Sequence, residues 1–228
     1  MKRACVQMLG VVTPAALVAA SPAHAQLAPG ASGWSSAPTE ASEAEYWIMM
    51  RRMGLCLADA KREQSVAFMD ATPGSAAEDA AVKALFNRSR NRCMGNFVSA
   101  SMLRSHMRGV VAEGLVELLP DQQRQALARS AGTPPAEVLN FHDFARCYVA
   151  NHPSVAIDFL SQTKVATDGE REAIRQMASD FGPCLPADRE VRINPVNARM
   201  AIAEAVFHAA RALPAEPAMP IESPAGGQ

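Results

Sequence analysis

Two stretches of this chain hold a pair of cysteines at one separation, Cys56 to Cys93 and Cys147 to Cys184. Each carries a phenylalanine at the same inner position, Phe68 and Phe159. A shift of 91 positions, from Cys56 to Cys147, also lays Met53 on Phe144, Leu57 on Tyr148 and Val66 on Ile157. It continues through Met69 on Leu160 and Thr72 on Thr163, and ends on an Arg-x3-Ala-Glu block. That block is Arg108, Ala112 and Glu113 in the first copy, and Arg199, Ala203 and Glu204 in the second. One register without a gap predicts a tandem duplication. Four cysteines allow three pairings, and a copied fold should copy its staple, so the duplication selects Cys56–Cys93 and Cys147–Cys184.

The staples need an oxidising compartment, and the N-terminus supplies the route. "MKRACVQMLGVVTPAALVAASPAHAQ" has a positive start at Lys2 and Arg3, an apolar run from Val6 to Ala20, and small residues at Ala23 and Ala25. This is the three-part pattern of a secretory signal over residues 1–25, with a mature chain from Gln26. The run is shorter than the ~20 apolar residues of a membrane anchor. Cys5, in the charged start, leaves with the signal. No later stretch is apolar enough to span a bilayer, so no transmembrane segment is expected after cleavage. The formal charge is −1, from 22 basic and 23 acidic residues. Losing Lys2 and Arg3 leaves 20 against 23, a mild acidity that argues against nucleic acid as a partner.

Residues 26–42 are rich in Ser, Pro and Gly and read as a flexible leader; residues 214–228 read as a disordered tail. Between them the apolar spacing is helical, and no alternating segment of strand length occurs. The fold class is all-α: helical module 1 over 43–119, a connector over 120–136, and helical module 2 over 137–213. Module 1 reads as a helix over 43–61 and a segment from Ser65 to Met69 that extends it or forms a second helix. A turn at 71–75 follows, then a helix from the Ser75 cap to about Asn91 with Glu78 completing a capping box. A last helix spans about 102–119, with Val111, Ala112, Leu115, Leu118 and Leu119 on its buried face. The connector holds one short helix and a break at Thr133–Pro135.

The stretch "CYVANHPSVAIDFLSQT…GPCLP…REVRINPVNARMAIAEAVFHAA" at 147–210, with its divergent first copy at 56–119, resembles a group of small exported proteobacterial proteins of unknown function. The resemblance covers most of the mature chain. It implies a fold and no activity.

Arg108 and Arg199 each precede an apolar stripe by one turn and lie on its face. A guanidinium on the core side must be paired, hydrogen-bonded or snorkelling. The structural reading is a lock on helix-end carbonyls or a carboxylate; the functional one is an anion site in each copy. Glu113 and Glu204, five residues on, point away from their own arginines, so their partners belong to other elements or to solvent. Brought together, they would make a paired-carboxylate site between the modules.

His106, His142, His152 and His208 fall on no histidine of the other copy. HExxH, CxxC and metal spacing to cysteine are all missing, so no metal and no cofactor are expected. Thiol redox work is opposed by the same lack of CxxC. Arg51, Arg52, Lys61, Arg62, Arg88, Arg90 and Arg92 form a candidate basic patch of module 1, suited to an acidic polymer or anionic surface. Met49, Met50 and Met53 read as adaptable core filling. The expected function is a periplasmic or secreted, non-enzymatic binding or structural protein of the cell envelope. Its partner would be an envelope protein, a polymer or an anionic surface. The alternative is an enzyme with a site assembled between the modules.

Overall fold

The computed structural model describes residues 43–87, 92–94, 102–186 and 191–213, and all regular structure among them is helical. The α-helices are α1 (Glu43–Ala60), α2 (Arg62–Asp70), α3 (Ala76–Leu85), α4 (Arg104–Glu117), α5 (Asp121–Arg129), α6 (Phe141–Asn151), α7 (Pro153–Gln162), α8 (Asp168–Met177) and α9 (Pro195–Ala212). The signal, leader and tail segments lie outside the described residues, as does most of the 94–101 linker.

The segment after Lys61 is a separate helix, α2, and the break is built from local hydrogen bonds. Lys61 leaves helical geometry at φ −138°, ψ 49°. The Leu57 carbonyl then accepts from Lys61 N at 2.9 Å and from the buried Ser65 hydroxyl at 3.0 Å. The Lys61 ammonium donates to the Leu85 carbonyl at 2.7 Å, occupying one of the acceptors left open at the end of α3. The α6–α7 break has the same backbone at His152, φ −134°, ψ 54°, followed by Pro153 in the first turn, where its missing N–H costs nothing.

The capping box is present in altered form. The Ser75 hydroxyl accepts from Glu78 N as expected, but the Glu78 carboxylate accepts from Gly74 N, one residue ahead of the cap. Gly74 needs its positive φ of 77° for that turn. The other half repeats the arrangement with Thr167, Glu170 and Ala166, the last at φ 58°. These positions are 92 apart, and so are both ends of α3 and α8. The gapless 91-residue register therefore holds for the cysteines and for the starts of α2/α7 and α4/α9, while α8 is displaced by one residue. The helix from Ser75 also ends earlier than expected, at Leu85 rather than near Asn91.

Packing centres on α4 and α9. Residues Met107 to Val116 are buried without interruption, as are Ala198 to Phe207. A helix apolar or buried all round sits inside a bundle, so the expected one-sided face on 102–119 is too narrow a description. Leu118, placed on that face, is 36% exposed because α4 ends at Glu117; Leu119 is buried. α1 packs on α4, α6 packs on α9, and α4 packs on α9, so the buried side chains of both halves form one core.

Close backbone approach makes this possible. A Cβ on Gly54 of α1 would sit 2.1 Å from the Val110 carbonyl oxygen of α4, and one on Gly109 would sit 2.3 Å from Met200 Cβ of α9. Gly54→Ala must push α1 off α4, at a cost of about 1–3 kcal/mol typical of overpacking. A lowered urea midpoint is the expected result; an unchanged midpoint would mean that the helices sit farther apart than this.

Candidate functional site

Arg108 and Arg199 are both buried in the core, at 3% and 0% exposure. Each reaches the C-terminal end of its own second helix. Arg108 Nη2 donates to the Met69 carbonyl at 2.9 Å, and Arg199 Nη2 donates to the Leu160 carbonyl at 2.9 Å. Each guanidinium also lies over the phenylalanine noted in the sequence, 5.4 Å from the Phe68 centroid and 5.3 Å from Phe159. A helix end offers unpaired carbonyls and partial negative charge, so a planar multi-donor cation fits both needs.

The carboxylates complete the cage crosswise. Arg108 donates from Nε at 2.9 Å and Nη2 at 2.6 Å to Glu204 Oε1, in the other half. Arg199 donates from Nη2 at 2.7 Å and Nε at 3.1 Å to Glu113. The repeated glutamates therefore bind the opposite arginines across the α4–α9 seam. The reading that they point away from their own arginine holds. They do not face one another as a carboxylate pair, since each is engaged by a guanidinium. Two further acids close the cages: Glu78 Oε1 lies 3.1 Å from Arg108 Nη1, and Glu170 Oε1 lies 3.7 Å from Arg199 Nη1. Sequence reasoning used Glu78 only as a cap and missed Glu170, because the gapless register set Asp79 against it. The signal was available in Ser75-x2-Glu78 and Thr167-x2-Glu170.

The outer partners differ between halves. Glu113 also takes Arg51 Nε at 2.7 Å, and Arg51 reaches Glu117 at 2.7 Å. Glu204 has half-exposed histidines instead: His142 Nδ1 at 3.6 Å from Oε2 and His208 Nε2 at 3.8 Å from Oε1. Burial alone would raise the Glu204 pKa, but the adjacent His208, the hydrogen bonds and charge of Arg108, and the nearby His142 hold it at about 2 against an ordinary 4.5. Burial raises the Glu170 carboxyl, opposed by the Ala166 N–H and the Arg199 charge.

These shifts have opposite signs in the pH dependence of stability. Glu204 is depressed on folding, so its contribution is present above about pH 4.5 and is lost as pH falls toward 2. From a shift of this size the contribution is about 3 kcal/mol. Glu170 is raised, so its contribution is greatest in acid and is lost as pH rises. Glu170→Gln retains an acceptor for Ala166 N and removes the unfavourable charge. It should raise the urea midpoint at pH 7 and abolish the gain in stability that Glu170 gives the parent as pH falls toward 4.5; a lower midpoint at pH 7 would contradict this assignment.

Two members of the candidate basic patch are engaged by other elements. Arg51 and Lys61 are spent on Glu113, Glu117 and the α3 carbonyls, because each lies beside a buried acceptor. Arg52, Arg62 and Arg92 are exposed, and Arg88 and Arg90 lie outside the described residues. Met50 and Met53 are buried as core filling, and Met49 is only partly buried. His152 stacks on Tyr148, centroids 5.0 Å apart. No group of three or more metal-ligating side chains occurs among the described residues.

Both predicted disulfides are present, Cys56–Cys93 and Cys147–Cys184, each spanning 37 positions. Two such bridges point to a non-cytoplasmic, oxidising environment. Among the described residues no helix is long and apolar enough to cross a membrane.

One cleft of about 430 Å³ opens on the seam. The N-terminal end of α4 contributes His106 and the preceding Leu103, that of α9 contributes Asn197 and the preceding Asn194, and α6 contributes Phe141 and His142. Leu103 and Asn194 are counterparts 91 positions apart, as are His106 and Asn197, so both halves line the cleft with unlike side chains. The His106 ring packs against Trp47 with centroids 4.6 Å apart and planes tilted by 59°; burial lowers its pKa, and its buried Nδ1 has no hydrogen-bond partner. Comparisons with protein-family models, curated proteins and solved structures returned no match.

Proposed function

We propose that this chain is an exported, non-enzymatic binding or structural protein of the cell envelope, built by internal duplication and akin to the exported proteobacterial group it resembles. The observation that carries this reading is the crossed arrangement of Arg108 with Glu204 and Arg199 with Glu113. The four ionisable residues of the repeated Arg-x3-Ala-Glu block are all consumed in holding the halves together. What the copies preserved is thus architecture, and what they let diverge is the seam cleft. The disulfides and the leading sequence support an exported location. The matching cages, helix starts and chain breaks support duplication.

The test is production of the full chain in a diderm bacterium, followed by fractionation. Expected is a periplasmic species beginning at Gln26, without free thiols, that captures an envelope component which an Asn197→Trp variant fails to hold. Asn197 is exposed in the cleft, so tryptophan there blocks the opening without disturbing the core. An unprocessed, reduced cytoplasmic chain would overturn the reading. The alternative, an enzyme acting at the seam, draws on one observation: His142 stands beside the buried Glu204 carboxylate in the cleft wall. Turnover abolished by His142→Ala would favour it.

A further inference from the structure

We propose that His142 and His208 form a proton-operated latch on Glu204, standing where the other half carries permanently charged groups. The 91-position shift lays Arg51 on His142, Glu113 on Glu204 and Glu117 on His208. The structure gathers both trios around the corresponding glutamate. In the first half, Arg51 of α1 reaches Glu113 and Glu117 of α4, at 2.7 Å each. In the second, His142 Nδ1 of α6 lies 3.6 Å from Glu204 Oε2 of α9, and His208 Nε2 lies 3.8 Å from Oε1. Arginine keeps its charge at every ordinary pH, whereas an imidazole changes charge near neutrality. One cage is therefore fixed in charge, and its counterpart gains counter-charge by taking up protons.

Glu204 has use for that charge because its arginine is shared. Arg108 donates to Glu204 Oε1 at 2.9 and 2.6 Å and to Glu78 Oε1 at 3.1 Å, so one guanidinium serves two buried carboxylates. Arg104, 3.9 Å from Glu78, is the only other cation near them on that side. Held at about 2, the Glu204 carboxyl stays ionised across neutral and mildly acid pH. The imidazoles are half-exposed, so each exchanges protons with solvent and, once charged, faces an anion that solvent screens poorly. The protonated rings meet Glu204 only in the folded chain. Their contribution is therefore present in acid, below the ordinary imidazole range, and is lost as pH rises through it. Protonation ties α6 to α9 as Arg51 permanently ties α1 to α4.

The other charges around the two rings have partners of their own. Beside His142, the Asp143 carboxylate accepts from Leu139 N at 3.2 Å and stands 3.8 Å from Arg146. One turn from His208, Arg211 pairs with Asp70 at 3.1 Å. Arg192, which lines the seam cleft with His142, is also engaged. The positive end of α6 opposes a charge on His142 in its first turn, while the negative end of α9 favours one on His208. Two further groups titrate nearby with opposite signs. Burial disfavours the charged form of His106, which takes stability away in acid, and Glu170 adds it.

The experiment is urea unfolding of the parent, of His142→Gln/His208→Gln, and of His142→Arg/His208→Glu, which transplants the other half's trio. Each is measured at about pH 8 and about pH 5.5, on either side of the ordinary imidazole range. All three proteins keep His106 and Glu170, so those effects cancel in the comparison. On acidification the parent's unfolding constant should fall about threefold further than that of the glutamine variant, as two weak, half-exposed ion pairs allow. At about pH 8 the parent and the glutamine variant should unfold alike, and the transplant should be the more stable of the variants. The transplant should also share the weaker pH response of the glutamine variant. Equal pH responses of the parent and the glutamine variant would overturn the latch, and so would a transplant that keeps the parent's response. Both histidines are half-exposed, so the glutamine variant folds and decides the matter even where the transplant does not.

Discussion

Arg108→Met is expected to cost about 3–5 kcal/mol, the range found when one partner of a buried pair is removed. The guanidinium is 3% exposed and serves Glu204, Glu78 and the carbonyls of Phe68, Met69 and Ala71. Methionine fills the volume and leaves Glu204 with only two half-exposed histidines and Glu78 with only Arg104, 3.9 Å away. At about 2–4 °C per kcal/mol for a chain of this size, the melting temperature should fall by on the order of 10 °C. Arg199→Met should cost less, because Glu113 keeps Arg51 at 2.7 Å and Glu170 is readily protonated when its cation leaves. The double variant Arg199→Met/Glu113→Leu should recover much of the loss, since an apolar replacement of a buried pair removes both charges together. Calorimetry checks all three. An Arg108→Met protein that melts with the parent would mean the cage is no lock.

Removing Cys147–Cys184 with a double alanine substitution is expected to cost about 4 kcal/mol on the chain-entropy model for a loop of 37 positions. The sequence suggested that such a loss would fall on its own half. The shared α4–α9 core predicts instead one cooperative transition for the whole chain, shifted downward. Two separated transitions in denaturant would show that the halves fold independently. The bridges also differ in access: Cys147 and Cys184 are buried, while Cys56 and Cys93 are partly exposed. A dilute dithiol should therefore reduce Cys56–Cys93 first, read by differential alkylation and mass spectrometry.

Much of the architecture was legible because its causes are local. Periodicity placed α1, and the Ser75 cap and the Pro73-Gly74 turn placed the start of α3. Equal spacing of the cysteines implied the pairing that the structure holds. Where local cues compete, the reading failed. α3 stops at Leu85, where Lys61 caps it from the break between α1 and α2, a contact no local window of sequence contains. The one-residue displacement of α8 escaped because the cysteines and the Arg-x3-Ala-Glu block agree on either side of it. The cleft was not legible at all: Leu103, Phe141 and Asn194 are ordinary side chains until three helices bring them to one opening.

The amino-acid sequence alone determined that this chain is helical, stapled twice, and furnished in each half with an arginine that belongs to the core. Helix periodicity, turn chemistry and the intolerance of a buried cation for isolation act over a few residues, so they can be read from a line of letters. Only the tertiary structure decided which acid each arginine meets. A guanidinium takes whichever carboxylate the packing of α4 on α9 brings within 3 Å, and that is the one from the opposite half.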